Sequence, residues 1–299
     1  MSMIKKPVWL LPICLLLLTA GGFLYWKLSR PLPRNAPVVT NWPAIGPTTS
    51  PNAPPAPTPE APFPGESATK KGNAAPETAF TLRQGEILDY NANVPKLNST
   101  VANLRIIAAE KRGSVGKASW HLQAFAHTEN PYRMVFALDD QFDSYSDAGS
   151  MTSLQYEMHL NERGEKVDSV ERLLSSAHDP APMGASAARV LPGTRDPLGM
   201  LEYLRSVDWS HTVEVRSPVY DGHKLYDVRA VLVGKSAAVS VPAGNFNTTK
   251  IEIHVLDNGT EMKDAHFLLY LANDASRLPV LMEAVLPVAT ARVELTKSN

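Results

Sequence analysis

FLLYLANDASRLPVLMEAVL, residues 267–286, is the stretch whose reading decides the fold. Residues 267–271 and 278–286 are two short apolar runs on either side of Asn273-Asp274. They are too short for helices and are divided by turn-forming residues, so they predict two β-strands and a tight turn. Strands apolar on both faces must be covered twice: by the core on one side, and by a helix, a partner or a ligand on the other.

The same reading extends outward. Upstream, Ile251, Ile253 and Val255 alternate with Lys250, Glu252 and His254, as a half-buried strand requires. Downstream, Ala289, Ala291, Val293 and Leu295 alternate with Val288, Thr290, Arg292 and Glu294. Residues 80–90 and 104–109 predict further strands. In residues 120–126, Trp120, Leu122, Ala124 and Ala126 share one face, and His121, Gln123, Phe125 and His127 the other. Asp221-Gly222, the corner at 242–245 and Asn258-Gly259 supply tight turns, so neighbouring strands should run antiparallel. One helix stands out. Asp196 can cap it, Pro197 suits its first turn, and Leu198, Leu201, Leu204 and Val207 form an apolar stripe. A second helix is predicted over residues 132–145 and a loop over 178–194.

The N-terminal part is of another kind. Residues 7–26, PVWLLPICLLLLTAGGFLYW, carry no charge and match a hydrocarbon core of about 30 Å. Trp9, Tyr25 and Trp26 lie near the ends, where aromatic rings favour the interface. A cleaved signal peptide is the rival reading, given Thr19-Ala20-Gly21-Gly22, but the apolar run continues through Trp26 and favours an uncleaved anchor. Cys14, the only cysteine, follows bulky Ile13, which opposes lipid attachment there. Basic flanks are nearly balanced, with Lys5 and Lys6 before the span and Lys27, Arg30 and Arg34 after it, so they do not set its orientation. Residues 31–79 hold about half of the 25 prolines and read as an extended, solvated tether.

The expected organisation is therefore a membrane anchor (1–30), a Pro-rich tether (31–79) and one β-rich domain (80–299). The expected fold class is β-rich α+β: a curved antiparallel sheet or half-barrel with one or two short helices, behind a single N-terminal transmembrane helix. Lys+Arg 29 against Asp+Glu 30 gives a net charge of -1, and no basic stripe offers a surface to nucleic acid.

Four blocks of the domain resemble a bacterial family, domain of unknown function 3108. They are GEILDY (85–90), VFALDDQFDSYSD (135–147) with LQYEMHL, DPLGMLEYLR (196–205), and the long span from Tyr220 to Leu295 with YDGHKLYDV, VPAGNFNTTKIEI and FLLYLANDASRLPVLMEAVL. The resemblance implies an envelope location and settles the orientation; with the anchor at residues 7–26 the expectation is a single-pass protein of the bacterial inner membrane with its C-terminal domain in the periplasm. It implies a shape similar to lipoprotein-carrier half-barrels, and it brings no catalytic residue and no cofactor.

Candidate chemistry is sparse. His121 and His127 share a strand face but stand on the order of 20 Å apart along it, so they cannot ligate one metal unaided. The remaining histidines show no metal-ligand spacing. Asp139, Asp143 and Asp147 would share one face of the predicted helix, a solvated acidic face more readily than a calcium site. Asp274 and Arg277 are expected to pair before Leu278. No nucleophile can be matched with a base, so the domain reads as non-catalytic. Two surfaces stand out: an apolar groove at Leu269, Leu271, Val280 and Met282, and a polar surface at Asp143, Tyr145 and Asp147. The first reading is a binding module for a lipid or other amphiphile, anchored in the inner membrane through residues 7–26. The alternative is an adaptor docking on an envelope protein complex, with the strand at 288–295 as an open sheet edge.

Overall fold

The computed structural model describes residues 80–114, 117–175, 186–262, 266–285 and 290–299. The predicted anchor and tether, and residues 176–185 of the predicted loop, lie outside them. Among the described residues no helix is long and apolar enough to cross a membrane.

Fourteen strands share one sheet: β1 (Glu86–Val94), β2 (Ser99–Ser114), β3 (Lys117–Thr128), β4 (Asp139–Asp147), β5 (Ser153–Glu162), β6 (Glu165–Leu174), β7 (Ser186–Arg189), β8 (Glu214–Tyr220), β9 (Leu225–Val241), β10 (Gly244–Asp257), β11 (Thr260–Glu261), β12 (His266–Ala272), β13 (Pro279–Val285) and β14 (Thr290–Ser298). A helix, α1 (Pro197–Ser206), falls between β7 and β8 in the chain. The spatial order is β7-β6-β5-β4-β3-β2-β1-β14-β13-β12-β10-β9-β8, with β11 paired to β10. Two meanders are thus sewn together at the middle by the first and last strands, Leu88 lying opposite Ser298 and Ala92 opposite Val293. Among the described residues the named strands pair antiparallel except β6 with β7, and the isolated bridge between Arg195 and Val219 is also parallel.

Period-two patterning sets the two faces. Along β1, Leu88, Tyr90, Ala92 and Val94 point inward and are buried, and the residues between them are half-buried. Asn258 and Gly259 both take left-handed φ values, 49° and 79°, as the two-residue turn between β10 and β11 requires.

The sheet curves round α1. Asp196 caps the helix by accepting from the Gly199 N–H (2.9 Å), and Arg277 donates to the carbonyls of Arg205 and Val207 at the other end (3.2 and 2.8 Å). Leu198, Met200 and Leu204 are buried in the apolar core, while Leu201 packs on its margin. The approach to β4 and β5 is close: a Cβ at Gly199 would stand 2.9 Å from both the Met151 carbonyl oxygen and Ser146 Oγ.

A short seam nearly closes the curve. The Ser153 N–H donates to Thr194 O (3.0 Å), the Arg195 N–H to Pro218 O (3.0 Å), and the Tyr220 N–H to Arg195 O (2.8 Å). Residues 194 and 195 therefore stitch the start of β5 to the edge strand β8. The result is a barrel-like shell with a helix inside it.

Three expectations change. Residues 132–145 form one turn of 3₁₀ helix, Tyr132–Met134, and then strand β4. Residues 186–189 form β7, so the predicted loop is partly strand. Arg277 does not pair with Asp274; its guanidinium serves the end of α1, and the Asp274 carboxylate accepts from the Ser276 N–H (2.9 Å).

Candidate functional site

Charge is buried on the concave side of the sheet. Arg205 is fully buried and donates to Glu86 (2.7 Å) and Glu202 (2.9 Å), and to the carbonyls of Ser276 and Arg277 (3.1 and 3.2 Å). Burial alone would make this guanidinium easier to deprotonate. The carboxylates of Glu202 and Glu86 outweigh it and raise the pKa. Burial pushes Glu202 upward, against the pull of Arg205. Burial likewise raises Asp196, whose carboxylate accepts from Ser144, Ser153 and the Gly199 N–H. Every member has partners, so this cluster fixes α1 inside the shell.

The convex face of β3–β6 differs. His121 on β3, Asp143 on β4 and Glu157 on β5 lie across neighbouring strands, with Asp143 directly opposite Glu157. Asp143 accepts from His121 Nε2 (2.7 Å), Gln123 (2.8 Å) and Gln141 (2.7 Å), and its side chain is only 6% exposed. Gln155 donates to Glu157 (2.6 Å). His159 on β5 places Nδ1 2.8 Å from Asp168 on β6, and Nε2 3.5 Å from Glu157. The hydrogen bond to Asp168 holds His159 above the ordinary histidine pKa. The ligand atoms of Asp143, Glu157 and His159 all lie within 4.8 Å of one another. The Tyr145 ring stacks on His121 with centroids 4.5 Å apart. Beside it opens a shallow depression of about 470 Å³ lined by Tyr145, Leu154, Gln155, Arg172 and Leu174.

The sequence-predicted residues separate accordingly. Leu269, Leu271, Val280 and Met282 are brought together on β12 and β13, all 3% exposed or less within the same apolar core as α1. A ligand could reach them only after the shell parted from the helix. Asp143 and Tyr145 do stand together on the convex face. Asp147 is separate: its carboxylate accepts from the N–H groups of Gly149 (3.1 Å) and Ser150 (2.9 Å) and shapes the turn into β5. Asp139 is also apart, paired with Arg133 and His127, and the hydrogen bond from Arg133 lowers its pKa.

Sequence reasoning missed Glu157, His159, Asp168 and Gln155. For the three on β5 the signal was present in SLQYEMHLNE, where Gln155, Glu157, His159 and Asn161 alternate with Tyr156, Met158 and Leu160; Asp168 lies on β6. Only cross-strand register brings that row against Asp143, and reading residues 132–145 as a helix removed the strand between it and His121.

Comparison with known proteins bears on the family and the fold. The family of proteins of unknown function DUF3108 matches residues 89–296, and the chain belongs to that family. No curated protein matches it. Among solved structures, the chain is similar to a β-barrel-like protein of domain of unknown function DUF1849 from Brucella abortus. That match has 14% identity and a TM-score of 0.48, and covers 72% of this chain and 97% of the other. A protein with YmcC-like fold from Bacteroides fragilis matches at 11% identity and a TM-score of 0.36, over 74% and 98% of the two chains. Likeness at this level carries no function across.

Proposed function

We propose that this chain is a non-catalytic binding protein of the bacterial envelope, held on the inner membrane by residues 7–26, and that it takes an amphipathic ligand with an anionic head on the convex face of β4–β6. One observation carries the reading. The depression beside Tyr145 joins an apolar wall, Leu154 (42% exposed) and Leu174, to an exposed Arg172 that has no carboxylate partner among the described residues. Apolar area next to a guanidinium is the combination an anionic amphiphile requires. The apolar run at 7–26 supports the membrane attachment, and the tether at 31–79 would give the domain reach above the bilayer.

The convex site is preferred to the four inward residues because of what opening the shell would cost. Parting α1 from the sheet would separate Arg205 from Glu86 and leave charges uncompensated in apolar surroundings. The adaptor reading loses the edge on which it rested: β14 is paired on both sides, with β1 and β13.

The test is native mass spectrometry of the full chain, purified from bacterial membranes and released from detergent in the instrument. A discrete extra mass removable by organic solvent is expected, absent from Leu154→Lys and Arg172→Glu and retained in Leu269→Ala. A mass lost only in Leu269→Ala would move the ligand inside the shell. A bare wild-type protein would overturn the amphiphile reading.

A further inference from the structure

We infer that Asp143, Glu157 and His159 form a binding site for a divalent transition-metal ion of the zinc type on the convex face of the sheet. The inference goes beyond the amphiphile reading and does not depend on it.

Three independent features point to a cation. The first is a like-charge pair that lacks a permanent cation. Asp143 and Glu157 are direct cross-strand partners, and like charges so placed repel. Their side chains are 6% and 17% exposed, so water screens them poorly. Among the described residues no Lys or Arg stands within ion-pair distance of either; the neighbours are histidines and amides. Glu283 and Glu294, by contrast, share the guanidinium of Arg292.

The second is donor geometry. Tetrahedral zinc with bonds of about 2.0–2.1 Å sets its ligand atoms roughly 3.3 Å apart. His159 Nε2 already lies 3.5 Å from Glu157, and all three donor atoms fall within 4.8 Å, so rotamer adjustments of an ångström or so close the set. His121, with Nε2 2.7 Å from Asp143, lies outside that set of three and supports Asp143.

The third is the outer support. Asp168 engages Nδ1 of His159, which leaves Nε2 to face the two carboxylates. A carboxylate behind a ligating imidazole fixes its tautomer and orientation in protein metal sites. Gln123 and Gln141 hold Asp143, and Gln155 holds Glu157. Imidazole together with carboxylate selects zinc-type ions over calcium or magnesium, which prefer oxygen alone.

The experiment is calorimetric titration of the EDTA-stripped full chain with ZnCl₂, with CaCl₂ and MgCl₂ as comparisons. One equivalent of Zn²⁺ should bind, with calcium and magnesium at least about tenfold weaker. Asp143→Asn and His159→Gln should each weaken Zn²⁺ by well over tenfold, and Asp168→Asn by about tenfold through the lost support. His254→Gln reports on another histidine–carboxylate group, where His254 lies beside Glu261 and Glu252, and should leave binding unchanged. Circular dichroism of each variant separates lost folding from lost ligands, and a substitution that unfolds the chain is replaced by Glu157→Gln. Wild-type chain without saturable Zn²⁺ binding would overturn the site, as would loss in His254→Gln with retention in Asp143→Asn and His159→Gln.

Discussion

On the concave side of the sheet Glu86 and Glu202 share the guanidinium of Arg205; on the convex side Asp143 and Glu157 face each other among imidazoles and amides. Both clusters keep carboxylates away from water. The inner one contains its own permanent cation, and it ties α1 to β1 and to the turn between β12 and β13. The outer one contains none, and it ties only neighbouring strands whose backbone ladder already holds them. An ion cluster complete in itself does structural work. One that lacks a cation is a place where a ligand can supply it.

The largest expected effect tests the inner side. Arg205→Met removes the shared cation and leaves Glu86 and Glu202 buried together. Unpairing a buried charge costs about 3–5 kcal/mol, so urea unfolding at pH 7 should show a loss of that order. A loss below about 1 kcal/mol would mean that the cluster does not hold the helix, and the contrast between the two sides would fail.

Next in size is a pH effect at Asp140, an inward carboxylate of β4. Burial raises its pKa to about 7, and its Oδ2 atom has no hydrogen-bond partner in the structure. The unfolded chain holds this proton only below about pH 4, whereas the folded chain keeps it to about pH 7. Stability from this group is therefore full below about pH 4 and lost progressively as the pH rises toward 7. Asp140→Asn keeps the acceptor for the Asn161 N–H and should raise stability at pH 8 by on the order of 2–4 kcal/mol. Chemical unfolding from pH 4 to 8 would show a flatter profile for the variant. An unchanged profile would mean that Asp140 is solvated.

How much of this was legible in the chain depends on the periods involved. The alternation at 250–255, the turn at Asn258-Gly259 and the cap at Asp196 each declare themselves within a few residues, and the structure follows them. Asp139, Asp143 and Asp147 misled because a spacing of four suits a helix of period 3.6 and is also twice the strand period. The polar site was illegible for a different reason: Asp143, Glu157 and His159 meet through the register of β4 against β5, and residue spacing alone did not give that pairing. The place of β14 was hidden likewise, since its pairing with β1 joins opposite ends of the domain. Leu269 and Met282 were read as lining an apolar groove, whereas the structure buries both in the core they share with α1, and short apolar runs alone do not show what fills the space in front of them.

The smallest predicted effect gives the most direct test. Asp143→Asn relieves a like-charge pair and keeps an acceptor for His121. Without metal, its unfolding free energy from urea titration should match the wild type to within about 0.5 kcal/mol or lie slightly above it. The measurement is the urea midpoint of each protein with and without a saturating excess of Zn²⁺ over the protein. A clear rise in the midpoint on Zn²⁺ addition is expected for the wild type and none for Asp143→Asn, because a ligand stabilises only the folded form that binds it. A variant crippled without metal, or one that gains as much from Zn²⁺ as the wild type, would contradict the proposed site.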